Sequence, residues 1–231
     1  MKNAGTLVDR LKKGEPLPER HHNPYLSEAL ELGEYLVTND ELRARFETLF
    51  TDNTQPLVLE VGCYLGKTVT ELAQANPLIN VLGVDITYKR TVKAARKLQR
   101  IQSPNARIGI SEAASLLQFF PAGSLAGVCV FFPDPWPKKK QRKNRLVNAA
   151  FFEILKEKLA PRGFFWFKTD SPDYFDDVLA AAHQAQWHVS EPDLQPGILA
   201  DQPYVTVFEK LFLEKGQPIF RRIFRAEKVG L

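Results

Sequence analysis

From residue 57 onward the chain alternates short apolar runs of strand length with longer stretches of helical spacing, and no other feature limits its fold so tightly. Residues 57–61 form the first run, bounded by Pro56 and Gly62 as a buried parallel strand should be. Residues 67–75 then have helical spacing and stop at Asn76-Pro77. Strands are predicted next over residues 80–84, 106–110, 127–132 and 163–168, with helices over 88–102, 112–119, 144–159 and 172–186. Residues 187–190 and 204–212 supply two further strands. Repeated β-α units of this size predict an α/β fold with a doubly wound, mostly parallel, seven-stranded sheet. In such sheets ligands bind outside the carboxyl ends of the strands.

Ahead of this pattern, residues 1–25 are polar and carry Pro16, Pro18 and Pro24, which predicts a loose arm. Short helices are expected over residues 27–37 and 40–50, the second capped by Asn39 or Asp40. The division expected is therefore an arm with short helices over residues 1–56 and an α/β domain over residues 57–231.

Composition narrows the class. An apolar fraction of 44% with 16 Phe is ample for a core and excludes a disordered chain. The longest apolar stretches, 127–132 and 163–167, are far too short to cross a bilayer. Met1-Lys2-Asn3-Ala4-Gly5 leads into no apolar signal core, so a cytoplasmic location without membrane attachment is expected. Cys63 and Cys129 lie inside apolar runs without the spacing of a metal site, which predicts reduced, buried thiols and no metal.

The net charge of +4 matters less than its distribution. Lys138, Lys139, Lys140, Arg142, Lys143 and Arg145 fall within one short segment, and Arg221, Arg222, Arg225 and Lys228 add a second basic group. Clustering of this kind favours a polyanionic partner.

Four segments at predicted strand ends carry chemistry. Glu60-Val61-Gly62-Cys63-Tyr64-Leu65-Gly66 is a glycine-containing turn between strand and helix, where the backbone can approach a ligand closely. As a P-loop it is one residue short before Gly66-Lys67-Thr68, and as a dinucleotide turn it has Tyr64 in place of the middle glycine. An acidic strand end followed by such a turn fits the first motif of class I methyltransferases. Asp85 ends the second strand, where a carboxylate suits a ribose diol. Glu112 follows the third strand, placed for an adenine or simply as a favourable charge in a first helical turn. The fourth strand ends in Phe131-Phe132-Pro133-Asp134-Pro135-Trp136-Pro137, just before the basic run. Prolines on both sides of Asp134 stiffen the backbone and remove two amide donors. Trp136 offers a stacking face for a base, and the adjoining cations can grip phosphates.

Phe-Phe-Pro-Asp-Pro-Trp followed by Pro137 and Lys138 resembles the hallmark of the tRNA (guanine-N7)-methyltransferases. Leu59-Glu60-Val61-Gly62, Gly83-Val84-Asp85, Lys168-Thr169-Asp170 and Thr206-Val207-Phe208-Glu209 follow the family's order, so the likeness spans residues 57–225. Tyr64, Asn144 and Leu211 depart from its usual residues. The resemblance implies an enzyme that transfers a methyl group from S-adenosylmethionine to guanine N7 in tRNA. It further implies that Glu60, Asp85, Glu112 and Asp134 contact the donor, with Gly62 and Gly66 shaping its turn. Lys138 and Asp170 would contact the substrate; Lys140, Arg142, Lys143 and Arg145 the RNA; and Thr206, Phe208 and Glu209 the target guanine. Asp134 is the catalytic candidate, in a monomer or homodimer. The alternative expectation is a methyltransferase-like RNA-binding protein whose activity is lost or retargeted, with Tyr64 crowding the donor.

Overall fold

The computed structural model describes residues 24–190 and 196–226, together with residues 10, 12, 13 and 15. The expected arm therefore lies mostly outside the described residues, as does Lys228. The chain divides into two compact units, residues 1–56 with 60–119 and residues 57–59 with 120–231. Among the described residues no helix is long and apolar enough to cross a membrane.

In the first unit, α1 (Pro24–Glu31) is followed by a 3-10 turn, a two-residue strand β1 (Leu36–Val37) and α2 (Asn39–Arg45). Then come β2 (Leu57–Val61), α3 (Lys67–Ala75), β3 (Asn80–Asp85), α4 (Tyr88–Arg100), β4 (Ala106–Ile110) and the short α5 (Ala113–Leu117). Strands lie in the order β1-β4-β3-β2, and both the β1–β4 and β3–β4 pairs are parallel. Every residue of β2, β3 and β4 is buried, which explains why these runs are continuous rather than alternating. Helix α4 buries Thr91, Val92, Ala94, Ala95 and Leu98 at helical spacing and places Lys97 and Arg100 in its last turn, where cations suit the helix dipole.

In the second unit, β5 (Leu125–Phe131), a 3-10 turn over Lys139–Asn144, α6 (Ala149–Lys158) and β6 (Leu159–Thr169) are followed by α7 (Pro172–Gln184). The chain ends with β7 (Trp187–Val189), α8 (Val207–Glu214) and β8 (Phe220–Ala226). Here the order is β2-β5-β6-β8-β7, so β2 is common to both runs. β5 and β6 run parallel, whereas β8 is antiparallel to both β6 and β7. An aromatic cluster of Phe151, Phe152, Phe165, Trp187 and Phe224 packs edge-on and stacked between α6 and these strands.

The α/β class and the mostly parallel sheet agree with the sequence pattern, with four differences. The sheet has eight strands, not seven, because Leu36 and Val37 leave the helical pattern and are fully buried beside β4. Thr38, rather than Asn39 or Asp40, caps α2, its hydroxyl accepting from the Glu41 amide while the Glu41 carboxylate accepts from the Thr38 amide. The expected strand over 204–212 is instead α8, since Thr206 and Glu209 form a second reciprocal cap that starts a helix. The strand the sheet needs comes from Phe220–Ala226, whose arginines hid it from an apolar-run search. Lastly, α6 begins at Ala149 rather than residue 144, because the Asn148 side chain accepts from the Phe151 amide and caps it there.

Candidate active site

In the first unit, the turn after β2 is built around Asp85. Its Oδ2 accepts the Tyr64 amide at 3.2 Å and its Oδ1 accepts the Thr87 amide at 2.7 Å, so one buried carboxylate at the end of β3 holds two backbone segments. The Gly62 and Cys63 amides both donate to the Val84 carbonyl. Gly62 and Gly66 adopt φ values of 79° and 69°, a region where only glycine is unstrained. They differ in what surrounds them. A Cβ on Gly66 would lie 2.7 Å from the Ala94 Cβ, so that glycine lets α4 pack close. A Cβ on Gly62 would meet nothing within 4 Å, which leaves open space above an exposed backbone.

Tyr64 does not fill that space. It takes a left-handed φ of 51°, and its ring lies beneath the Arg90 guanidinium, 5.0 Å from ring centre to carbon. Arg90 also stands 3.9 Å from Asp85. Glu60 is buried on β2, whereas Glu112 is exposed and accepts from the Ser115 hydroxyl at 2.5 Å. An open backbone beside a buried carboxylate fits an adenosine-type ligand with a ribose diol. Burial pushes the Cys63 thiol well above its usual range, and the nearby Glu60 and Asp85 add to the shift; this thiol is inert packing.

In the second unit, the chain leaves β5 through residues that resist ordinary backbone geometry. Phe132 and Trp136 have φ values of 53° and 42°, and between them Pro133 and Pro135 flank Asp134, whose side chain is exposed. The Phe132 amide donates to the Lys168 carbonyl at 2.8 Å and continues the β5–β6 pairing by one residue. The 3-10 turn that follows exposes Lys138, Lys139, Lys140 and Lys143. Its two arginines behave differently. Arg142 pairs with Asp173 and Asp177, and the side chain of Arg145 is only 3% exposed.

At the end of β6, Lys168 is wholly buried, 2.8 Å from the Glu209 carboxylate and 3.3 Å from the Tyr204 carbonyl. Burial pushes this ammonium below the usual lysine range, and the Glu209 charge opposes the shift. The pair pins the start of α8 to the strand that ends at Thr169, one residue before Asp170. Phe208 and Phe212 stack along α8, and Phe212 meets Phe132 with 5.5 Å between ring centres. A cavity of about 350 Å³ opens beside Glu209, lined by Arg221, Arg222 and the apolar Phe175, Leu213, Ile219 and Phe220.

A family model described as "Putative methyltransferase" (Methyltransf_4) matches residues 54–222. The tRNA (guanine-N(7)-)-methyltransferase of Geobacillus sp. (strain WCH70) is 32% identical over 196 residues, 81% of this chain and 86% of the relative. That of Syntrophotalea carbinolica is 38% identical over 178 residues, 76% of each chain. The chain belongs to the tRNA (guanine-N7)-methyltransferase family. Among solved structures, a 30S ribosomal A1408 methyltransferase from an uncultured bacterium superposes with a TM-score of 0.52 at 16% identity, covering 82% of this chain and 94% of that one. The precorrin-6y C5,15-methyltransferase of Geobacter metallireducens GS-15 gives the same TM-score at 10% identity, over 81% and 90%. Likeness at those identities is a likeness of fold.

In this methyltransferase-family chain, Glu60, Gly62, Gly66, Asp85 and Glu112 thus fall in the first unit, all but Glu60 beyond a strand's end. Asp134, Lys138, Lys140, Arg142, Lys143, Arg145, Asp170, Thr206, Phe208 and Glu209 fall in the second. Thr206 and Glu209 are buried in a helix cap, and Arg145 faces inward. Lys168 escaped sequence reasoning as a site residue, although a lysine closing an apolar strand was a visible sign. The support from Tyr174 and Asp177 had no sequence signal, since nothing in their spacing links them to the basic run.

Proposed function

We propose that this protein methylates N7 of a guanine in tRNA with S-adenosylmethionine as donor. The observation that carries this is the exposed Asp134, held between two prolines at the end of β5 and followed by four exposed lysines, in a chain of this family. When bound, S-adenosylmethionine supplies an electrophilic sulfonium methyl. The turn over 62–66 and the Asp85 carboxylate hold it, with Glu60 and Glu112 as further contacts.

Guanine N7 carries a lone pair and no proton, so no residue has to act as general base at that atom. The protein contributes chiefly orientation, worth up to about 7–11 kcal/mol in favourable cases. The methylated ring is cationic, and carboxylates beside it stabilise the charge that develops during transfer. Asp134 and Asp170 fill that role. Glu209, or one of these two, accepts from the guanine N1–H and amino group, which discriminates against adenine by about 1–3 kcal/mol. The N7 edge is out of reach of side chains inside an A-form helix, so the target guanine is unpaired or splayed out and stacks on an aromatic such as Trp136. Lys138, Lys140 and Lys143 contact the RNA from the exposed turn, joined by Arg142.

The test is incubation with unmodified tRNA and labelled S-adenosylmethionine, followed by strand cleavage at N7-methylated guanines. Label at a single guanine N7 is expected; label on another atom, or none, overturns the assignment. The rival, an RNA-binding relative without turnover, depends on Tyr64 closing the donor site. The open space over Gly62 counts against it, and calorimetry with S-adenosylmethionine alone separates the two: heat of binding is expected.

A further inference from the structure

We propose that Arg145 is a positioning residue that aims the Asp134 loop and is no RNA contact, an inference that rests on the methyltransferase activity proposed above. Its guanidinium Nε donates to the Pro135 carbonyl at 2.8 Å. Nη1 donates to the Asp173 carbonyl at 3.1 Å and to the Asp177 carboxylate. The plane lies 4.7 Å from the centre of the Tyr174 ring. The Tyr174 hydroxyl in turn accepts the Val147 amide at 2.9 Å, which fixes the chain just beyond Arg145. The Arg145 amide itself donates to the Arg142 carbonyl, closing the basic turn.

The loop needs such a handle for a chemical reason. Pro133 and Pro135 have no amide hydrogen, so neither can anchor Asp134 by donating to a neighbour. The positive φ values of Phe132 and Trp136 cost about 1–3 kcal/mol each and persist only where the surroundings enforce them. A carbonyl is the grip that remains, and Arg145 takes the one adjoining Asp134. Its other donors reach the first turns of α7, which starts two residues after Asp170. One guanidinium therefore sets the loop bearing Asp134 against the helix that follows Asp170. The fork geometry is essential: a lysine offers one flexible charge and cannot bridge three acceptors in a plane. A phosphate ligand, by contrast, must be reachable, as the neighbouring lysines are.

The full-length protein carrying Arg145→Lys or Asp177→Asn tests this, with Lys140→Ala/Lys143→Ala as the RNA-contact control. Arg145→Lys is expected to lower kcat about 10-fold to 100-fold, the scale of an ångström-sized misplacement, while the salt dependence of tRNA affinity stays as in the parent. Asp177→Asn should give the same pattern, several-fold weaker. The control should instead flatten the salt dependence by about one unit of slope or more. Acrylamide quenching gives a readout free of activity, because Trp136 is half-buried whereas Trp166 and Trp187 are buried. Both positioning variants should make the Trp136 emission more quenchable. A flattened salt dependence with kcat and quenching unchanged in Arg145→Lys makes it a phosphate contact and overturns the proposal. Should that variant not fold, unchanged kcat and quenching in Asp177→Asn overturn it equally. Should the parent fail to methylate tRNA, the activity falls, and quenching alone still decides the positioning role.

Discussion

The turn after β2 and the loop after β5 both leave a buried strand, and each forces a non-glycine residue, Tyr64 or Trp136, into left-handed geometry. They are held in opposite ways. The first is a backbone device: Asp85 collects two amides, and Gly62 keeps the space above it clear. The second has prolines where amides would be, so side chains support it: Arg145 grips a carbonyl, and Phe212 meets Phe132. A turn that must wrap a ligand is best held from beneath by its own amides. A loop that must present one carboxylate is best stiffened and gripped from behind.

Four measurements bear on that contrast. The largest effect is expected at the Lys168–Glu209 pair, which anchors α8. Lys168→Met leaves a buried carboxylate without its cation and should cost about 3–5 kcal/mol in urea unfolding. Adding Glu209→Gln should restore much of that loss, and a double variant no better than the single would show that the pair is not what holds α8. Next comes Asp134→Ala, which should reduce turnover about 10²–10³-fold with the circular dichroism spectrum unchanged. Parent-like rates would reduce the loop after β5 to a structural turn.

Within the glycine turn, the two glycines should separate. Gly66→Ala forces a Cβ to 2.7 Å from Ala94 as well as strain, whereas Gly62→Ala meets only strain. The expected losses are about 2–3 kcal/mol for Gly66 and about 1 kcal/mol for Gly62, with S-adenosylmethionine affinity falling more for Gly62. Equal thermal shifts and equal affinities would erase the distinction. The smallest effect is alkaline. Burial raises the Tyr174 phenol to about 12 from its ordinary 10.0. The unfolded chain loses that proton first, so this group's contribution to stability declines as pH rises from 10.0 towards about 12. Ultraviolet titration should find a late-ionising tyrosine that disappears in Tyr174→Phe, and no change in that variant would place Tyr174 in a wetter setting.

Much of the site was legible because its chemistry is local. Glycine and proline impose their geometry wherever they stand, so Gly62, Gly66 and Pro133-Asp134-Pro135 could be read directly. The basic run was visible as charge, but the charge did not say which way each side chain turns. Arg145 and Lys143 look alike in a string of cations; one is buried against Tyr174 and the other is exposed. The segment over 204–212 was misread for a related reason. Its apolar density suits a strand, and only the Thr206–Glu209 cap shows that it starts a helix.

By itself the sequence determined the β-α alternation, and with it the strand ends where Asp85 and Asp134 emerge, because periodicity and turn chemistry act over a few neighbouring residues. Tertiary structure alone decided that β8 enters antiparallel beside β6, that Lys168 meets Glu209 across 41 positions, and that Arg145 reaches Asp177 across 32. Those partners are chosen by burial: once water is excluded, a charge must find whatever acceptor the packing brings within reach, and no local pattern records which one that will be.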